Sequence, residues 1–171
     1  MLKRHTALLT LAVSAASMAM LAACGNGVDV ASVRGGAVPL DRIHLGTPEN
    51  IFKEAYVTFG EDPNGTVAGK HQYLSHMPDQ DGGQYVVEVK DDHCYALSVV
   101  HNTKPVAREV ALKKMENLLP ADVVANNKPV VKEDPTKPVE TYTWGDKYSS
   151  QMLYTDQTKQ MVSVVNASRA L

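Results

Sequence analysis

The stretch Gln84–Val100, QYVVEVKDDHCYALSVV, decides how the rest of the chain is read. Tyr85, Val87 and Val89 alternate with Gln84, Val86, Glu88 and Lys90; Tyr95, Leu97 and Val99 alternate with Ala96, Ser98 and Val100. A period of two belongs to a strand with one buried face. Asp91-Asp92-His93 between the runs supplies turn residues. Tyr85 then opposes Val99 and Lys90 opposes Cys94 across a three-residue turn. In that register the six large apolar side chains share one face of an antiparallel hairpin. The other face carries Gln84, Val86, Glu88, Ala96, Ser98 and Val100.

The hairpin needs a cover, and helical patterns lie on both sides of it. Upstream, Thr47 and Pro48 suit a helix start, Ile51, Phe52, Ala55, Tyr56 and Phe59 recur at helical spacing, and Gly60 is a stop. Turn residues at 62–65 and a strand pattern around Val67–Leu74 follow, then a loop over Asp79–Gly83. Downstream, Ala107, Val110, Ala111, Met115, Leu118 and Leu119 form the apolar stripe of a second helix that Pro120 ends. Residues 126–138, NNKPVVKEDPTKP, read as an exposed loop or extended arm. Strands are expected over Val139–Trp144, Tyr148–Thr155 and Gln160–Val165.

The order helix, strand, strand, strand therefore occurs twice, over 43–101 and 102–171. QYVVEVKDDHCYALSVV at 84–100 parallels QMLYTDQTKQMVSVV at 151–165, which pairs Tyr85, Val87, Leu97 and Val99 with Met152, Tyr154, Val162 and Val164. The expected fold class is α+β: a tandem α-β-β-β repeat forming one antiparallel sheet of about six strands, with two helices on one face. A unit of about 60 residues buries little surface alone, so both halves share one core. No third helix is available to cover the sheet's second face, and an antiparallel sheet tolerates a wet face.

Ahead of this domain lies a segment of another kind. Lys3, Arg4 and His5 precede a run of apolar and small residues from Thr6 to Leu21, then Leu21-Ala22-Ala23-Cys24-Gly25. The run is too short to cross a bilayer comfortably and has the three-part plan of an export leader. Leu21-Ala22-Ala23-Cys24 resembles the bacterial lipoprotein lipobox. The resemblance implies a signal peptide over 1–23, a diacylglycerol on the Cys24 thiol, and a permanent membrane anchor. By the same resemblance Gly25, in place of aspartate, implies the outer membrane, facing the periplasm, where the organism has two membranes. The other reading is an ordinary secretory leader. Residues 24–42, rich in Gly, Ala and Val without a period, read as a lipidated cysteine and flexible tether. The single domain is expected over 43–171.

The tandem helix-plus-sheet plan is similar to that of the beta-lactamase inhibitory proteins. Leu45-Gly46-Thr47-Pro48-Glu49-Asn50-Ile51, then Phe59-Gly60-Glu61-Asp62-Pro63, resembles the turn-helix of the small lipoprotein of the outer-membrane barrel-assembly machine. Both resemblances imply protein binding.

The 171 residues carry a formal charge of −2, so there is no basic footprint for nucleic acid. Of two cysteines, lipidation takes one, leaving Cys94 without a disulfide partner. His71, His76, His93, His101 and Cys94 are close in sequence, but strand parity and the hairpin's length separate them, so no metal site and no cofactor are expected. Asp79, Asp81, Asp91 and Asp92 lie in turns, and Asp79–Gly83 lacks the later ligands of a calcium loop. No nucleophile–base pair is legible, so the chain is expected not to be an enzyme. The candidate partner-binding residues are Tyr142, Trp144 and Tyr148. Aromatics in a patch anchor partners, although in a chain with one tryptophan and two phenylalanines the same rings also serve as core. The expected function is that of a membrane-anchored lipoprotein binding another cell-envelope protein or component; the alternative is a small-ligand or metal-binding envelope lipoprotein.

Overall fold

The computed structural model describes residues 30–170. The leader, Cys24 and the first residues of the tether lie outside them. The fold is α+β. Nine strands form one antiparallel sheet among the described residues. They are β1 (Phe59–Glu61), β2 (His71–Ser75), β3 (Gln84–Lys90), β4 (His93–Val100), β5 (Val106–Ala107), β6 (Val130–Glu133), β7 (Val139–Trp144), β8 (Tyr148–Tyr154) and β9 (Met161–Arg169). The order is β1-β2-β3-β4-β9-β8-β7-β6, with β5 also pairing β9. Among the described residues there are three α-helices, α1 (Glu49–Glu54), α2 (Arg108–Asn117) and α3 (Ala121–Asn126).

The sheet exceeds the expected six strands because β1, β5 and β6 are short and were hidden in the sequence. Each lies where a helix end, a helix lead-in or a proline-rich arm was expected. The six expected strands all form. The third helix, α3, starts directly after Pro120 and is too short to show a period.

The Gln84–Val100 hairpin pairs Tyr85 with Val99 as expected, but its tip differs. A bulge between Glu88 and Val89 sets Val89 against Cys94 and Lys90 against His93. The turn is therefore two residues, Asp91 and Asp92, with φ of 51° and 61°. Two successive left-handed residues make the turn whose twist matches the flanking strands, and aspartate tolerates that conformation. The extra residue changes which side chains are inside. Cys94 is buried with Tyr85, Val87, Val89, Leu97 and Val99, while Tyr95 lies on the other face and donates to Glu88 at 2.5 Å.

The β8–β9 hairpin has the same irregularity, a shift between Leu153 and Tyr154. Val162, Val165 and Ala167 are buried, and Val164, expected inside, pairs with Val100 on the open face. By register, Val87 and Val89 answer to Met152 and Tyr154, and Cys94 and Leu97 to Val162 and Val165. The entry to each half matches too. Pro48 bridges His93, and Ala107 pairs with Met161. The next N–H donates to the turn: Glu49 to Asp92 O at 2.9 Å, Arg108 to Gln160 O at 3.1 Å.

One buried cluster holds the molecule together. Ile51, Phe52 and Met115 from the helices and Leu118 at the end of α2 meet Val87, Leu97, Met152 and Val165 from the sheet. Ala111 and Met115 of α2 and Leu118, which caps it, follow the i, i+4, i+7 stripe. Helix α1 is shorter than expected. It stops at Ala55, and Phe59 enters the core from β1, its ring edge-on to Phe52 at 5.2 Å. Tyr56, expected on the buried stripe, is 67% exposed. The packed chain also begins before Ile43. Val38 is buried, its N–H donates to Thr58 Oγ1 at 3.0 Å, and short 3-10 turns form at Val30–Ser32 and Leu40–Arg42. No helix of the described residues is long and apolar enough to cross a membrane.

Candidate open-face docking site

The helices cover one face of the sheet, and strand parity puts every second residue on the other. From β2 to β7, one row across that open face runs Leu74, Val86, Ser98, Asn166, Gln151, Thr141. The row above it runs Gln84, Val100, Val164, Leu153, Val139, and the row below runs Gln72, Glu88, Ala96, Ser168, Ser149, Thr143. Glu88 is the one charged residue in these three rows, while 21% of the whole chain is charged. Its carboxylate is itself engaged by the Tyr95 hydroxyl. A solvated protein surface is normally rich in charge; the centres of protein interfaces are depleted of it. This face therefore offers short apolar and uncharged hydrogen-bonding groups on a rigid frame, centred on the Ser98–Asn166 pair where β4 meets β9.

The expected aromatic patch is not on this face. The inward parity of β7 buries Glu140, Tyr142 and Trp144. Tyr142 and Trp144 are each 3% exposed, so as partner-binding residues they are corrected to core. Tyr148 is half-buried, packs against the core edge and has the Arg169 guanidinium 6.0 Å from its ring centroid. What the tyrosines do instead is close a buried polar knot. Glu140 Oε2 accepts from Tyr142 Oη at 2.6 Å, Tyr154 Oη at 2.7 Å and Arg108 Nη2 at 3.1 Å. Arg108 also donates from Nε to Tyr154 Oη at 3.0 Å. Burial disfavours the Glu140 carboxylate, but these donors and the Arg108 charge outweigh it and hold its pKa below the usual carboxylate value. The sequence carried a signal for this knot: Glu140, Tyr142 and Trp144 share one parity, and a charge on an inward row needs a partner.

The first half has a counterpart. Glu49, at the first position of α1 as Arg108 is in α2, accepts from Tyr73 Oη at 2.8 Å and pairs with Lys53 at 2.9 Å. His71 Nδ1 lies 2.9 Å from Glu61 Oε1 and 3.6 Å from Glu49 Oε1.

The remaining polar cluster closes the Asp79–Gly83 loop. Asp79 Oδ1 accepts from the N–H of Asp81 at 3.0 Å and of Gly83 at 2.9 Å, and its other oxygen pairs with Lys114, which also reaches Asp81 at 3.1 Å. A cleft of about 520 Å³ opens beside it, lined by Asp41, Tyr85, Lys113 and Lys114 among others. His101 sits behind this loop, fully buried, with neither ring nitrogen hydrogen-bonded. Burial and then Lys114 lower its pKa, against the opposing pull of Asp79 and Asp81, so the folded imidazole is neutral at pH 7. The other histidines are elsewhere: His76 lies against Gly60, and His93 Nδ1 is 2.9 Å from Asp91 O at the hairpin tip. Cys94 is buried, and burial pushes its thiol pKa far up, the opposite of a reactive thiolate. No group of three or more His, Cys, Asp or Glu among the described residues could hold a metal ion.

Comparison with protein-family models found no match, and comparison with curated proteins found no significant similarity. Among solved structures, a cysteine-rich secretory protein from Staphylococcus aureus is similar over 72% of this chain and 44% of its own, at 13% identity and a TM-score of 0.39. The matched region thus spans less than half the length of that protein.

Proposed function

We propose that this chain is a lipid-anchored, non-enzymatic protein of the bacterial envelope that binds another envelope protein over the open face of its sheet. Lipidation falls on Cys24. The membrane is the outer one, facing the periplasm, where the organism has two. The observation that carries the docking role is the charge-poor open face, which runs from β2 to β7 with one charged residue in three rows and meets Lys132 only at the β6 edge. Its central residues, Ser98 and Asn166, replace Tyr142 and Trp144 as the groups a partner touches. The anchor rests on Leu21-Ala22-Ala23-Cys24 and the leader before it.

The docking platform is read as a tandem repeat, 43–101 and 102–171, in which the expected α-β-β-β unit gains a short fourth strand at each sheet edge. Support comes from the mirrored strand order about β4 and β9, the bulge at the same place in both hairpins, and the matched entries at Glu49 and Arg108. A wide face formed jointly by two such halves suits a broad protein surface better than a small molecule. The second reading, a small-ligand site, draws on the cleft beside Lys114 and the unpartnered His101 behind it.

Two measurements test the reading. A photo-crosslinking residue at Ser98 or Asn166 in the membrane-bound protein should yield a discrete protein adduct, and one at Glu109 on the helix side should not. Equal adducts from Glu109, or none from the sheet, overturn the docking face. Cys24→Ser should leave unprocessed precursor and no lipid-anchored form. Normal cleavage with retention on carbonate-washed membranes overturns the anchor.

A further inference from the structure

The end of the domain nearest the anchor has a composition unlike the open face. The 3-10 turn Val30–Ser32 leads into a tight turn in which Arg34 and Ala37 exchange backbone hydrogen bonds at 2.9 and 3.1 Å. The loop after α1 packs on this turn. Val57 N–H donates to Gly36 O at 2.8 Å, and the Tyr56 ring covers Gly36 so closely that a Cβ there would lie 2.5 Å from Tyr56 Cζ. Val30, Tyr56 and Val57 are three large apolar side chains left exposed on these adjoining segments. Beside them is a groove of about 570 Å³ lined by Arg34, Arg42, Val38, Pro39 and small residues, with no acid in its lining. The Arg34 and Arg42 side chains make no ion pair among the described residues, although Arg42 also borders a second cleft lined by Asp41 and Glu116.

Chain length fixes what this end faces. Only residues 25–29 separate Cys24 from Val30. Six Cα steps span at most about 20 Å even fully extended. If Cys24 holds a diacyl anchor in the bilayer surface, the groove cannot leave the neighbourhood of the headgroups. Two guanidinium groups over an apolar floor fit a phosphate attached to acyl chains, because arginine binds phosphate in two-pronged fashion and tyrosine favours the water–lipid boundary. We propose that the Arg34–Arg42 groove, with Tyr56 and Val57 beside it, docks on anionic phospholipid headgroups of the membrane that carries the anchor. This rests on the lipoprotein reading for its geometry. Its consequence is orientational: the domain lies on the bilayer by this end instead of swinging on a free tether.

The test uses the chain from residue 24 with Cys24→Ser, which retains every described residue and lacks the lipid. It should co-sediment with vesicles containing phosphatidylglycerol and not with pure phosphatidylcholine vesicles. Each arginine near an anionic surface contributes about fivefold in affinity, so Arg34→Gln with Arg42→Gln should weaken binding by about thirtyfold. Neither side chain makes a hydrogen bond among the described residues, and an unchanged melting curve for the double variant checks that it is folded. Equal binding to both vesicle types, no binding to either, or full binding by the double variant overturns the proposal. Loss of vesicle binding in the presence of millimolar inorganic phosphate at constant ionic strength assigns the groove to free phosphate and overturns it too. The anchor is read separately, by the processing of the Cys24→Ser precursor in cells. Absent lipidation with preserved vesicle binding removes the anchor and leaves the groove; lipidation without vesicle binding does the reverse.

Discussion

Glu140→Gln isolates the polar knot that ties α2 to β7 and β8. The substitution keeps the size of the side chain and removes its charge. One carboxylate oxygen accepts three hydrogen bonds, two from the tyrosines at 2.6 and 2.7 Å and one from Arg108 at 3.1 Å. Hydrogen bonds to a charged group are each worth about 1.5–3 kcal/mol, but these three share an acceptor and do not add in full. The Arg108 side chain is 39% exposed and recovers water when released, so its share is discounted to about 0.5–1 kcal/mol. A net loss of about 2–4 kcal/mol follows, which in a chain of this size lowers the melting temperature by roughly 5–15 °C at pH 7. The pH dependence fixes the cause. Glu140 has a folded pKa below its unfolded value, so its contribution is complete above about pH 4.3 and is lost as the pH falls through the folded value. Melting curves of the two proteins should therefore lie apart at pH 7 and pH 5 and converge towards pH 3. A Gln variant within 1 °C of the parent at pH 7, or a gap unchanged at pH 3, would show that the knot is not a stabilising ion pair.

Two further expectations concern buried groups. Trp144→Ala should cost about 3–5 kcal/mol, because the ring is buried in the core cluster; a loss below about 1 kcal/mol by denaturant titration would contradict its place in the core. His101 is neutral when folded and takes up a proton when unfolded below about pH 6.5, so stability should fall as the pH drops from there towards the folded pKa. His101→Leu should flatten the melting temperature between pH 7 and pH 5, and an identical slope in parent and variant would rule out His101 as its source.

The sequence foretold the hairpins better than their faces. Alternation in 84–100 is strong enough to fix strand identity and the Tyr85–Val99 pairing, but a bulge adds one residue without breaking the alternation on either side of it. Tyr95 and Val164 were thus assigned inside and lie outside, while Cys94 took the buried position. By register, the two hairpins align with an offset from the expected pairing of two residues on the first strand and three on the second. Tyr142 and Trp144 show the opposite failure. Their shared parity was read correctly, but an aromatic pair looks the same whether its row faces helices or solvent. Glu140, on the same row, was passed over, although a lone charge there called for a buried partner, which the structure supplies as Arg108. Short edge segments such as Phe59–Glu61 and Val130–Glu133 become strands through their neighbours, and no local pattern marks them. The open face was half legible: its residues in the first hairpin were named, and its extension across β9, β8 and β7 needed the strand order.

The seam between β4 and β9 has a consequence for biogenesis. The central strand of the sheet, Met161–Arg169, is the last element of the described chain to be synthesised, and Val99 must wait for Val165. Until then β4 and β8 are both raw edges, and much of the apolar row beneath them has no neighbour. Contacts so distant along the chain form late and slowly. If the proposed leader directs export, that delay favours passage, because a chain still lacking β9 has not closed its sheet. The same delay exposes two sticky edges once the chain emerges, so a release arrested short of residue 161 would yield an aggregating species in place of a shortened working one.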